Sequence, residues 1–375
     1  MASRSPASID ASVEPPPPPP PPVAVGGLTQ TIHDTSLTIT TSSAGVTVKV
    51  FYATDRKRLP SLQRLSFGPE EDPSDALSYG TLQVSLPPGH QRGQIESPSI
   101  FRLEFHEDPK KHVVIKSVDP ESKDSFFSDL NSAVGSAPKH EALIFIHGYN
   151  VSFDDAAKRA AQLVYDLGIR GVPVLYSWPS RGTLQGYPAD EESVVWTAPH
   201  LMQFLQDLHD RTGASVVHVI AHSMGNRAFL NAMELLAREK STVHLGQVVL
   251  AAPDVACSHF IQQIPIVQTM TDHITLYASS GDEALAASQK INHYPRAGQS
   301  SGALTIIPPV ETIDASSIKH GFLGHSYFGD NTLVLEDMVF LIGQGMPAAE
   351  RARLNHPHLK QSALGTGIYW TFIGP

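Results

Sequence analysis

The chain has 375 residues, with 27 basic against 37 acidic side chains and a net charge of −10, a balance that argues against a surface tracking nucleic-acid phosphates. Its only cysteine, Cys257, excludes internal disulfides and cysteine-paired zinc sites, and the length allows a buried core without such staples. The opening MASRSPASIDASVE lacks the apolar core of a secretory signal, and no run of about twenty apolar residues offers a membrane span. A soluble, cytoplasmic protein is therefore expected.

Residues 15–22 are eight consecutive prolines, which cannot join a helix or a sheet interior and favour an extended polyproline II rod. Two readings stand: a spacer in a disordered tail, or a ligand for an aromatic-lined groove on a partner protein. Residues 1–27 are accordingly set outside the fold as a proline-rich tail, residues 28–343 are expected to form the folded domain, and residues 344–375 to form an irregular C-terminal tail, with Tyr369, Trp370, Phe372 and Ile373 as the residues that could dock it. The N-terminal part of the domain is strand-like, at 37–41, 46–52, 82–86 and 113–115, with breaks at Pro87-Pro88-Gly89 and Asp119-Pro120.

From residue 142 the texture changes to alternating strand and helix, which predicts a mostly parallel sheet with helices on both faces. Strands are expected at 142–146, 172–176, 216–220, 247–251, 274–278 and 304–307. Ser152 and Asp155 form a capping box for a helix ending at Gly168, a second helix carries Leu201, Phe204, Leu205 and Leu208, and another runs near 333–342.

The stretch VVHVIAHSMGNRAFL runs from a β-branched strand into helical spacing with Ser223 at the joint. So abrupt a turn strains its corner residue and demands small neighbours where strand and helix nearly touch, here Ala221 and Gly225. This is the G-x-S-x-G arrangement that exposes a nucleophilic serine, with alanine in the first position. The plain alternative is a serine that caps the following helix. An attacking hydroxyl needs a base, and with this elbow the acid and then the histidine follow the serine along the chain. Asp282 stands after the second strand beyond the serine and is the preferred acid, its plain alternative being a cap for the helix that continues through Glu283-Ala284-Leu285; Asp254, after the first strand, is the alternative acid and otherwise a cap or turn residue. His325, in the glycine-flanked GFLGHSY, is the preferred base and His320 the runner-up. Oxyanion donors are expected at the Met224 amide and, in the loop His147-Gly148-Tyr149-Asn150, at the Tyr149 amide. His147, Gly148, His222 and Trp178 are candidate pocket residues, Trp178 being either an apolar wall or a core tryptophan.

Taken in order, VFYATDR, FIHGYN, YSWPS, IAHSMGNR, LAAPDV, LYASSGDEAL and GHSY resemble the α/β-hydrolase branch long catalogued as a domain of unknown function, over roughly residues 47–342. The resemblance implies an α/β-hydrolase fold, a triad of Ser223, Asp282 and His325, and no metal or organic cofactor. Tyr52, Asp55 and Arg56 either touch the site or fix an early strand. Only residues 253–272 separate two late strands, room for one amphipathic helix rather than a cap domain, so an open site for short or medium acyl esters is expected. Thioester cleavage or acyl transfer by the same groups, and a catalytically inactive binding protein, are the rival readings.

Overall fold

The computed structural model describes residues 38–42, 45–61, 64–99, 104, 106–301, 304–318, 327–354, 359–365 and 367–373. The proline run and both candidate histidines, His320 and His325, lie outside these residues.

The strand β1 (Ile39–Ser42) and the long β2 (Gly45–Thr54) open the fold, followed by a hairpin of β3 (Arg56–Leu59) and β4 (Ser66–Glu71), then β5 (Ser78–Leu86) and β6 (Val114–Glu121). Alternation follows: α1 (Lys123–Ser136), β7 (Glu141–Ile146), α2 (Phe153–Leu167), β8 (Val172–Ser177), α3 (Tyr187–Arg211), β9 (Val216–His222) and α4 (Gly225–Arg238). Next come β10 (Leu245–Ala251), α5 (Cys257–Gln268), β11 (Thr271–Ala278), α6 (Glu283–Asn292) and β12 (Glu311–Asp314). The chain finishes with α7 (Tyr327–Asp330), α8 (Thr332–Gln344), α9 (Ala348–Arg353), β13 (Leu359–Leu364) and β14 (Gly367–Phe372).

Twelve of these strands make one sheet in the order β13-β14-β12-β11-β10-β9-β7-β8-β2-β5-β6, with β1 antiparallel on β2. From β12 through β2 every neighbouring pair is parallel. The strand sequences explain the layering. In β7, Ala142, Ile144 and Ile146 feed the core under α1, α3, α4 and α5, whereas Leu143 and Phe145 feed the core under α2 and α8. A strand apolar on both faces is stable only when both faces are covered. The capping box of α2 is closed in both directions, Ser152 Oγ accepting from the Asp155 amide at 3.1 Å and donating to Asp155 Oδ2 at 2.6 Å. Gly168 ends that helix in the left-handed conformation, φ 60°.

Three expectations are corrected. Pro120 does not break its strand: β6 continues to Glu121, and as a sheet edge it tolerates a residue without an N–H. The strand that pairs with β11 is Glu311–Asp314 and not 304–307, because the apolar run leads into Pro308-Pro309 and the chain pairs with β11 only after the turn closed by the Val310 amide on the Ile307 carbonyl. The stretch beyond 345 is not irregular. It forms α9, β13 and β14, and β14 joins the sheet beside β12. Arg351, fully buried, fastens this segment to Asp337 of α8 at 2.6 Å, and Asp337 also accepts from the Tyr277 hydroxyl of β11 at 2.5 Å.

Candidate active site

The carboxyl ends of β7, β9, β10 and β11 carry His147, Gly148, Tyr149, Ser223, Asp254 and Asp282 at one edge of the sheet. Ser223 sits at the corner between β9 and α4, 2% exposed, in the left-handed region at φ 53°. Asn150, after β7, and Ala252, after β10, also have positive φ, at 59° and 46°. A non-glycine residue held there stores about 1–3 kcal/mol of strain, retained only where the surroundings enforce it. Here they do. The Ser223 amide donates to the Ala251 carbonyl at 2.9 Å, and the Asp254 amide donates to the Ser223 carbonyl at 3.1 Å. Asn226, fully buried, spreads its Nδ2 across the carbonyls of Ala221, Ser223 and Ala251 at 3.1, 3.0 and 3.3 Å.

The loop after β7 presses against this corner. A Cβ on Gly225 would lie 2.3 Å from the His147 carbonyl oxygen, and one on Gly148 would lie 2.7 Å from Ser223 Cβ, so both positions require glycine. Trp178 donates from Nε1 to the His147 carbonyl at 2.7 Å and stacks on the His147 ring at 5.2 Å. No part of Trp178 reaches solvent: it backs the loop as a core residue instead of forming an apolar wall. His147 is equally buried, and burial together with the neighbouring Arg56 cation holds its pKa well below the usual value. Tyr149 is half-buried, with its ring edge-on to Tyr187 at 5.2 Å. Met224 is the N-cap residue of α4, and its side chain is buried.

Asp282, 1% exposed, follows β11 as the N-cap of α6, its Oδ1 accepting from the Leu285 amide at 3.0 Å. Asp254 is also buried, but it closes a polar cluster. Its oxygens accept from the Tyr187 hydroxyl at 2.8 Å, Ser288 Oγ at 2.5 Å and Arg227 Nη2 at 3.1 Å, and Arg296 adds an ion pair at 3.2 Å. Burial pushes the Asp254 pKa up, but the two guanidiniums outweigh it and hold the carboxyl below its usual range. His222 precedes Ser223 and lies against the ring of Phe328 in α7 at 4.3 Å.

The family described as alpha/beta hydrolases of unknown function (DUF900) matches residues 122–344. The chain belongs to that family. None of the curated proteins matches it. The alpha/beta-hydrolase fold accounts for the parallel sheet between two helical layers, and β1–β6 bring additional strands ahead of the matched segment. Among the described residues, no helix is long and apolar enough to cross a membrane.

Sequence reasoning left Tyr52, Asp55 and Arg56 open, and in the fold they separate. Tyr52 is a core residue, edge-on to Phe67 and Phe153. Asp55 is buried under the Tyr176 and Thr197 hydroxyls, 3.2 and 2.5 Å away, and His200 at 3.1 Å. Arg56 reaches the loop beside Ser223. Reasoning from sequence missed the corner clamp of Asn226 and the Asp190–Ser180 pair under the loop. The asparagine directly after Gly225 in IAHSMGNR was the visible signal for the first; nothing local signals the second.

Proposed function

We propose that this hydrolase cleaves carboxylic esters of short to medium acyl chain through an acyl-enzyme intermediate. Ser223 attacks the carbonyl and His325 takes its proton, while Asp282 holds the imidazole in the required tautomer. The amides of Met224 and Tyr149 stabilise the oxyanion, and water then attacks the acyl-enzyme with His325 again as base.

The observation that carries this reading is Ser223 held at φ 53° on the carboxyl edge of the sheet with Gly148 packed against it. That places a hydroxyl-bearing, strained corner beside a loop whose backbone can approach a bound carbonyl. Asp282 is preferred over Asp254 because the latter is committed to Arg227, Tyr187 and Ser288. The single helix α5 between β10 and β11 supports an open site, with Ile261 on its solvent side and Phe260, Ile264 and Val267 buried.

The test is a panel of nitrophenyl esters of increasing chain length, assayed on wild type and Ser223→Ala, together with a fluorophosphonate label. Wild type should turn over the shorter esters and label at Ser223, and Ser223→Ala should lose roughly 10⁴–10⁶-fold in turnover. Near-normal activity in folded Ser223→Ala refutes the mechanism, and a wild type that never labels favours a binding protein. Adding a competing alcohol and analysing products separates hydrolysis from acyl transfer.

A further inference from the structure

Arg56 stands at the bend from β2 into β3, ahead of the segment that the family match covers, and is 1% exposed. A guanidinium has five N–H donors, and here each finds an acceptor. Nε donates to Ser177 Oγ at 2.9 Å, and Nη1 to the carbonyls of Gly68 and Ser180 at 3.2 and 3.0 Å. Nη2 donates to His147 Nε2 at 3.2 Å and to the Val151 carbonyl at 2.7 Å.

The last two acceptors are the two ends of the loop whose middle is Gly148-Tyr149. The rest of that loop is tied down as well. His147 Nδ1 lies 2.8 Å from the Gly148 carbonyl and must carry the proton there, which leaves Nε2 as the acceptor facing Arg56 and Ser177. The Val151 amide donates to Ser180 Oγ at 3.2 Å, and Ser180 Oγ donates to Asp190 Oδ2 at 2.6 Å. Burial lowers the Arg56 pKa to about 10, which leaves the group charged at neutral pH and its five donors intact.

We propose that Arg56 is a positioning residue for the proposed ester cleavage: one guanidinium bridges His147 and Val151 and so fixes the Gly148-Tyr149 backbone at the distance from Ser223 that oxyanion stabilisation needs. The inference rests on the serine-hydrolase reading above. It assigns a role in turnover to the arginine of VFYATDR, which a buried staple of an early strand would not have.

Lysine keeps the charge but offers a compact ammonium with three donors, which cannot span both ends of the loop. Arg56→Lys is therefore compared with wild type in kcat, counted per serine titrated to completion with a fluorophosphonate, and in KM. The expected result is a folded variant with kcat down by about 10²-fold, the order of losing an oxyanion donor, and KM within about threefold. Unchanged kcat per titrated serine, or a loss confined to KM, overturns the proposal. If Arg56→Lys does not fold, Ser177→Ala decides: a kcat loss at constant KM supports the proposal, and wild-type kcat overturns it. The underlying reading fails separately, and the inference with it, if the wild-type protein itself shows neither labelling of Ser223 nor dependence on it.

Discussion

Gly148 and Ser223 belong to different strand ends and meet with no room for a methyl group between them: a Cβ on Gly148 would lie 2.7 Å from Ser223 Cβ and 2.8 Å from His222 Nδ1. Gly148→Ala should therefore push the loop off the serine. A displacement of about 1 Å at a reacting centre costs on the order of 10²-fold in rate. The expected outcome is a kcat loss of that order on a short-chain ester, with overpacking costing about 1–3 kcal/mol in urea unfolding. Unchanged kcat in a folded variant would remove this loop from the chemistry.

Asn226 ties the carboxyl ends of β9 and β10 together through Nδ2, which reaches three backbone carbonyls. Asn226→Ala removes the Nδ2 hydrogen bonds, although the Ser223 and Ala251 carbonyls keep the Asp254 and Ser223 amides, and each lost hydrogen bond costs about 0.5–1.5 kcal/mol. The variant should unfold at lower urea by at least that margin and turn over ester more slowly, since Ser223 loses part of the frame enforcing its φ. A stability within about 0.5 kcal/mol of wild type would mean that the amide is no clamp.

The strands β7 to β11 were legible because each is a short β-branched run buried on both faces, and α2 because Ser152, Asp155 and Gly168 mark its ends. For the same reason the strand ends bearing Gly148, Ser223 and Asp282 were readable as one edge. What escaped lies in long-range pairing. The short strand Glu311–Asp314 carries no apolar run and exists because β11 offers it a parallel edge. The C-terminal hairpin joins the sheet through β14 and is anchored by Arg351 meeting Asp337 across fourteen residues. Arg56 meets the loop carbonyl of Val151 across 95 positions. Periodicity reports how deeply a residue is buried, whereas a guanidinium's partners are set by topology.

His147 lies close to Ser223 in the fold, yet it should not be the group that titrates in catalysis. Burial and the Arg56 cation lower its proton affinity well below the usual imidazole value, so it stays neutral as pH falls through the range where an ordinary histidine, pKa about 6.5, protonates. Activity should decline on that acid limb through His325. His147→Gln should lower kcat by disturbing the loop while leaving the midpoint of the kcat/KM profile in place. A limb that shifts or vanishes in that variant would make His147 the titrating base. The same shift acts on folding: the unfolded chain binds a proton at His147 below about pH 6.5 and the folded chain does not, so stability is lost as pH falls below that value.

Asp254 gives the clearest electrostatic prediction. Its carboxyl is 1% exposed, and although burial opposes the charge, Arg227 and Arg296 depress its folded pKa below the ordinary value. A depressed folded pKa means that the unfolded chain takes up the proton first. The contribution to stability is therefore complete above the unfolded pKa, about 3.9, and is lost as pH falls through the folded value. Asp254→Asn leaves the buried Arg296 guanidinium without its counter-charge, while the half-buried Arg227 keeps Glu191 at 2.7 Å, and breaking such a buried pair should cost about 3–5 kcal/mol in urea unfolding near pH 7. As pH falls below about 4 the wild type loses its advantage while the variant has no carboxyl to titrate, so the gap between the two should narrow. Because Tyr187 joins this cluster to the Tyr149 ring, the variant should also lose turnover. A gap that stays constant from pH 5 to pH 3 would show that Asp254 contributes by hydrogen bonding and packing and not through its charge.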